Sequence, residues 1–243
     1  VSENPVKGRD SNGFCLDSAG VLRVEPWVDP LAEWSSWLEA GFGTRQSEGW
    51  PDHPIRARQV HSDRVVKVDG AWPGEPPEAD ALITNRPGLM LSVRTADCLP
   101  ILIADGRNKA VAAIHAGWRG TVAGIAVKTV AALRGEYGSR PEDLWAAIGA
   151  GIGNCCFEVG PEVTEQFQQF FPERDMSGRI RIDLVEANRR QLAGAGIQPG
   201  HIRVFNGCTK CGADLFHSWR RDGSASGRMT AAIGIVGRAG SLQ

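Results

Sequence analysis

Between Leu89 and His115 the chain is almost continuously apolar. The runs Leu89–Thr95, Leu99–Ala104 and Ala110–His115 are separated only by short polar breaks. A strand with one wet face alternates apolar and polar residues, whereas a run without alternation must be covered on both faces. These three segments therefore predict strands in the middle of a layered molecule. The chain has 243 residues and 42% hydrophobic content, enough to cover such a sheet without disulfide staples. Further strands are predicted at Ile55–Val60, Val65–Val68, Leu144–Ile148, His201–Phe205 and Met229–Val236.

Helical periodicity marks Thr121–Tyr137, where Val122, Ile125, Ala126, Thr129, Val130 and Leu133 share one face and Thr121 is the expected N-cap. A second helix should open at Gly160–Pro161 and stop before Pro172. A third should run from the capping carboxylate of Asp183 to about Gly194. A fourth is expected near Pro30–Ala40, burying Leu31, Trp34 and Leu38. The first 25 residues read as irregular, with a short hairpin around Asp17–Gly20, and Gly70–Glu78 reads as a surface loop. Strands and helices mix without strict βαβ alternation. That predicts a single α+β domain over residues 1–243, with mixed β-sheets in a layered sandwich flanked by helices.

The formal net charge of -1 gives no basis for broad attraction to nucleic acid or an anionic membrane. No apolar run approaches membrane-spanning length, and VSENPVKGRDSNGF has no secretory h-region, so a cytoplasmic location is the expectation. Cysteines occupy positions 15, 98, 155, 156, 208 and 211. Cys208–Cys211 is the one Cys-x-x-Cys pair; without a second such pair it is expected to hold neither zinc nor a disulfide.

Three segments could carry chemistry. KAVAAIHAGWRGTVAGIA places His115 at the end of a buried strand, followed by a Gly-containing turn and a helix N-terminus suited to an anion, with Arg119 beside it. LSVRTADCLPILIAD places Cys98 at the break between two apolar runs, and ARQVHSDRVVKV places His61 after a predicted strand. Each residue also has an ordinary structural reading: a hydrogen-bonded strand cap for His115, a small buried hydrophobe for Cys98, an exposed turn residue for His61. Taken together, two imidazoles and one thiolate form a three-ligand set that suits zinc and leaves one position open. At strand ends, truncating Cys98 or His115 is expected to cost at most about 1–2 kcal/mol.

GFGTRQ at 41–46, RQVHSDRVV at 58–66, EADALIT at 78–84, TADCLP and HAGWRG in this order, then GIGNCCFEVGPEV, DLVEANRRQL and FHSWRRDGSASGRM, resemble the YfiH-like family from about Gly41 onward. The resemblance implies metal ligands at His61, Cys98 and His115. It implies a single-domain α+β sandwich, akin in architecture to the catalytic domain of cytotoxic necrotizing factor toxins. It also implies a zinc-dependent purine nucleoside phosphorylase acting on adenosine, inosine and methylthioadenosine, with adenosine deaminase activity. Two other family readings are a copper polyphenol oxidase, or laccase, and a Cys–His hydrolase that edits peptidoglycan precursors. Departures at Gly149-Ala150-Gly151, Phe216-His217 and Trp219 bear on substrate preference more than on the metal ligands.

A multicopper laccase needs about four coppers and around ten histidines. The chain has five histidines and none in a His-x-His pattern, which favours a mononuclear zinc centre, with copper a second occupant of the same ligands. The partners expected are a small nucleoside and phosphate. Arg45, Arg119, Arg220 and Arg221 are the phosphate candidates, with Asp222 able to orient an arginine. A metal-free thiolate nucleophile at Cys98 with His115 as base, and a non-catalytic metal-binding module, are the competing readings.

Overall fold

The computed structural model of the chain describes residues 10–28, 33–47 and 49–237. Its strands are β1 Phe14–Leu16, β2 Val21–Val24, β3 Leu38–Gly43, β4 Val65–Lys67, β5 Ala81–Thr84, β6 Met90–Thr95 and β7 Leu99–Asp105. They continue with β8 Ala110–Ala116, β9 Leu144–Ile148, β10 Glu158–Val159, β11 Ile180–Arg181, β12 Ile202–Val204 and β13 Met229–Ile235. The helices are α1 Trp118–Val122, α2 Ile125–Tyr137, α3 Pro161–Phe167, α4 Leu184–Gly194 and α5 Trp219–Asp222.

Two of the three apolar runs, β7 and β8, occupy the middle of the molecule for the reason the pattern implied; the first forms β6, an edge strand with Arg94 exposed. A mixed six-stranded sheet has the order β12-β9-β7-β8-β5-β4, and an antiparallel five-stranded sheet has the order β1-β2-β3-β13-β6. Along β7, Leu99, Ile101 and Ile103 pack with Ile125, Val130, Leu133, Leu184 and Leu192 of the helices. Leu102 and Ala104 point the other way and pack with Leu91, Val93 and Ile233 of the second sheet. Successive side chains of one strand thus fill two separate cores, one between the sheets and one beneath the helices. Each fully buried Leu or Ile contributes about 1.5–3 kcal/mol. Packing on both faces therefore holds β7, the strand that begins immediately after Cys98. Among the described residues no helix is long and apolar enough to cross a membrane.

Several expectations need correction. Residues 55–60 run extended beside β6 without forming a continuous strand, making isolated bridges at Ile55 to Leu91 and Arg58 to Glu78. Where the backbone ladder lapses, the Gln59 side chain replaces it: Nε2 donates to Arg94 O at 2.9 Å and Oε1 accepts from Arg94 N at 2.8 Å. The fourth helix is a 3-10 turn, Glu33–Ser36, leading into β3; Pro30 and Leu31 lie outside the described residues. The short hairpin expected around Asp17–Gly20, by contrast, is present, with β1 and β2 pairing across it.

The helix expected over Thr121–Tyr137 is broken. Gly124 takes φ +79° between α1 and α2, a left-handed conformation that a residue with a Cβ adopts only under strain. Thr121 is not a cap; it lies inside α1, where its Oγ1 accepts from Asn188 Nδ2 at 2.9 Å and its carbonyl accepts from Gln191 Nε2 at 2.7 Å. These two bonds lash α1 to α4. Two alanine substitutions should therefore act in opposite directions, although a Cβ meets nothing within 4 Å at either position. Gly124→Ala should destabilise by about 1–2 kcal/mol. Gly135→Ala, within α2, should stabilise by about 0.5–1 kcal/mol. Urea denaturation of both variants checks this; equal signs would contradict the break at Gly124.

Candidate metal centre and its cavity

The site is built around a carboxylate. Asp80, 1% exposed, stands immediately before β5. Its Oδ2 accepts from Val60 N at 3.2 Å, Ser62 N at 2.6 Å and Ser62 Oγ at 2.7 Å. Its Oδ1 accepts from His61 N at 3.1 Å and lies 2.7 Å from His115 Nδ1. The turn carrying His61 is thus wrapped onto one buried anion, which holds His61 at φ +60°. His115 lies in β8, 4% exposed, with its backbone N–H donating to Asp80 O at 2.7 Å. With Nδ1 engaged by Asp80, Nε2 is the ring nitrogen left for a ligand, the usual carboxylate–histidine arrangement of a metal site.

Cys98 precedes β7 at the open end of the strand. The residue before it, Asp97, has φ +86° and is tied down by Thr209 Oγ1 at 2.6 Å and Arg220 N at 2.6 Å. The ligand atoms of His61, Cys98 and His115 all lie within 4.8 Å of one another. Cys98 Sγ is 3.8 Å from His61 Nε2, and the two imidazoles meet edge to face at 4.9 Å between centroids. Gly117 keeps the space beside them open, because a Cβ there would stand 3.0 Å from both Cys98 Sγ and His61 Cδ2 and press on both ligands.

The electrostatics favour charged ligands. Burial opposes the Cys98 thiolate, but hydrogen bonds from His115 and His61 outweigh it and bring the thiol down to about 6. Burial likewise opposes the His115 imidazolium, yet Asp80 and Cys98 hold it up at about 9. For Asp80, burial is overcome by hydrogen bonds from His115 and Ser62, and its carboxyl falls to about 2. Without metal the three groups form a row of alternating charge near neutral pH.

The ligands open onto a cavity of about 660 Å³. Of the arginines singled out in the sequence, Arg220 lines it, donating to Cys156 O at 3.3 Å and Glu158 O at 3.1 Å. Arg45, Arg119 and Arg221 lie outside the lining. Arg45 donates to Ala213 O, Arg119 lies over the Trp118 ring, and Arg221 braces Thr209 O, Lys210 O, Phe216 O and Asp222. The cavity takes Arg56, Arg94 and Arg228 instead, with Trp118, Phe157 and Trp219 as aromatic walls. Sequence reasoning missed Asp80 as well. Its signal was an acid flanked by Ala79 and Ala81 directly before an apolar strand, which demands buried partners.

Metal binding should follow these proton equilibria. Between pH 6 and 9 the His115 proton must leave when a metal binds; below about 6 the Cys98 proton must leave too. For these two ligands, log K for zinc should rise by about one per pH unit above pH 6 and by about two per unit below it. Competition with a chelator of known affinity between about pH 5 and pH 8 measures the slope, and a flat profile would contradict the ligand set. Asp80→Asn, which keeps the shape and removes the charge, should weaken zinc binding about 10–100-fold.

The chain is similar to known proteins in both sequence and fold. A purine nucleoside phosphorylase of Deinococcus radiodurans is 40% identical over 218 residues, covering 87% of this chain and 79% of that protein. Adenosine deaminase RL5, from an unknown prokaryotic organism, is 38% identical over 197 residues, covering 75% of each chain. The crystal structure of YlmD from Geobacillus stearothermophilus superposes with a TM-score of 0.80 at 30% identity, covering 92% of this chain and 99% of that one. The α+β layered fold expected from the sequence is therefore that of solved YfiH-like structures. Residues 44–236, which hold all three clustered ligands, match the family described as multi-copper polyphenol oxidoreductase laccase, and the chain belongs to that family.

Proposed function

We propose that the chain is a zinc-dependent purine nucleoside phosphorylase acting on adenosine, inosine and methylthioadenosine, with adenosine deaminase activity at the same centre. The observation that carries this reading is one cavity holding both a three-ligand metal centre and two unpaired guanidiniums. Arg56 and Arg94 sit close enough for Arg94, after burial, to push the Arg56 guanidinium below its ordinary value, and no carboxylate pairs with either among the described residues. Like charges held together without a counterion suit a multiply charged anion such as phosphate.

In phosphorolysis a phosphate oxygen bonds to C1′ of the ribose as the C1′–N9 bond breaks, and the electron pair leaves on the purine. Arg56, Arg94 and Arg220 hold the anion, and Trp118, Phe157 and Trp219 offer faces on which a purine stacks. Asp80 fixes the His115 ring with Nε2 free, so the centre is set before substrate arrives. A zinc ion held by His61, Cys98 and His115 would supply Lewis acidity for phosphorolysis and an activated water for deamination.

The donor set fits a mononuclear ion. Copper can use the same ligands, but His53, His201 and His217 lie elsewhere, and two imidazoles cannot assemble a coupled copper cluster. A second reading, thiolate catalysis without metal, draws on the Cys98 thiolate beside the His115 imidazolium.

Phosphate-dependent release of hypoxanthine from inosine tests the proposal. Activity should vanish on chelation, return with zinc, and fall at least about a hundredfold in Cys98→Ala. Activity that survives chelation but is lost in Cys98→Ala would favour the thiol reading; fast phenol oxidation without added copper would favour the oxidase. Cys98→Ala is the cleaner variant. His115 is buried against Asp80, so His115→Ala should cost about 3–5 kcal/mol by stranding a carboxylate, well above the modest cost expected from its place at a strand end.

A further inference from the structure

We propose that Cys155, Cys156, Cys208 and Cys211 form a second, structural metal site, a closed tetrathiolate suited to zinc. The sequence offered one Cys-x-x-Cys pair and no second one. The fold supplies the missing half as the adjacent pair Cys155–Cys156, carried on the turn after Gly153 and brought across to the Cys208–Cys211 turn. The four sulfurs all lie within 4.8 Å of one another.

The spacing decides between the possible roles of these thiols. Zinc–sulfur bonds of about 2.3 Å in a tetrahedron put the sulfurs about 3.8 Å apart. Cys155 Sγ is 3.8 Å from Cys211 Sγ, and Cys156 Sγ is 3.5 Å from it. A disulfide would need about 2.05 Å. Packing alone does not explain the cluster either, since Cys155 and Cys211 are exposed and a small buried hydrophobe has no reason to be there. The backbone is arranged for sulfur anions. Gly153 N–H donates to Cys208 Sγ at 3.2 Å. A sulfur that accepts a backbone N–H from the facing turn is already oriented toward the other three. On binding, the cation takes the four sulfurs as thiolates and any thiol protons leave to solvent.

The position gives the site its purpose. The two turns are otherwise joined by little more than the Gly151–Cys208 bridge and the bond from Thr209 N to Gly151 O at 2.9 Å. Thr209 holds Asp97, the residue before Cys98, while Ile152, Phe157 and Arg220 form one wall of the cavity. A tetrathiolate ion would fasten that wall from behind without touching substrate.

Cobalt(II) titration of the metal-stripped, reduced protein tests this. The wild type should bind about two ions per chain, with a sulfur-to-cobalt charge-transfer band reflecting five thiolates. Cys98→Ala should still bind about one ion and keep about four-fifths of the band. The double variant Cys155→Ser/Cys211→Ser should bind about one and keep about one-fifth. Protein purified without added metal should carry about two zinc ions. If Cys98→Ala binds no cobalt, if its band has lost most of its intensity, or if iron fills the site in purified protein, the proposal fails. The Cys98→Ala result decides even where the double variant does not fold, and it does not depend on the reaction proposed above.

Discussion

One buried carboxylate organises the centre of this molecule. Asp80 gathers three backbone N–H groups, one hydroxyl and one imidazole, and each is a group that would otherwise be hard to place. A charge this deep is tolerated only when every lone pair is occupied, so its partners are not free to drift. Residues 60–62 have no ladder of their own and take their shape from it. The ring of His115 takes its tautomer from it. A single side chain thus translates the rigidity of β5 and β8 into the placement of two ligands that are far apart in sequence.

The third ligand depends on the packed layers instead. β7 is held by apolar contacts on both faces, and its first residue follows a cysteine that emerges where that packing stops. Such a strand has little room to slide, because a one-residue slip would exchange the two cores. The thiol is accordingly as fixed as the imidazoles, by dispersion and water exclusion where they are fixed by hydrogen bonds. The arginines of the cavity come from β6, the extended segment before His61, α5 and the segment before β13.

What the sequence revealed follows from how local each cause is. Leu144–Ile148 and the central strands were legible because a strand buried on both faces leaves an unambiguous mark. The cap at Asp183 was legible because one side chain and one amide suffice, its carboxylate accepting from Glu186 N. Cys98 and His115 stood out at breaks in apolar runs. The break at Gly124 was hidden because the helical periodicity continues through it. His61 was read as following a strand, since nothing local shows that the Gln59 side chain would do a backbone's work. Arg56, Arg94 and Arg228 were missed for a different reason: cavity walls are chosen by which distant segments meet. The meeting of Cys155–Cys156 with Cys208–Cys211 was hidden likewise, because the adjacent pair has a spacing that looks unusable alone.

The extended segment before His61 has a bearing on association as well as on ligand geometry. β6 is the last strand of the five-stranded sheet, and its outer side would otherwise present a row of unpaired amides and carbonyls. Ile55 exchanges backbone bonds with Met90 and Ser92, and the Gln59 amide satisfies Arg94, so that border is occupied along its length. A strand from a neighbouring molecule finds no template there, and the irregularity of the covering segment keeps it from offering a new one. The same few residues that deliver a histidine to the centre therefore close the sheet against unwanted partners, so loosening them would expose a sticky margin as well as misplace a ligand.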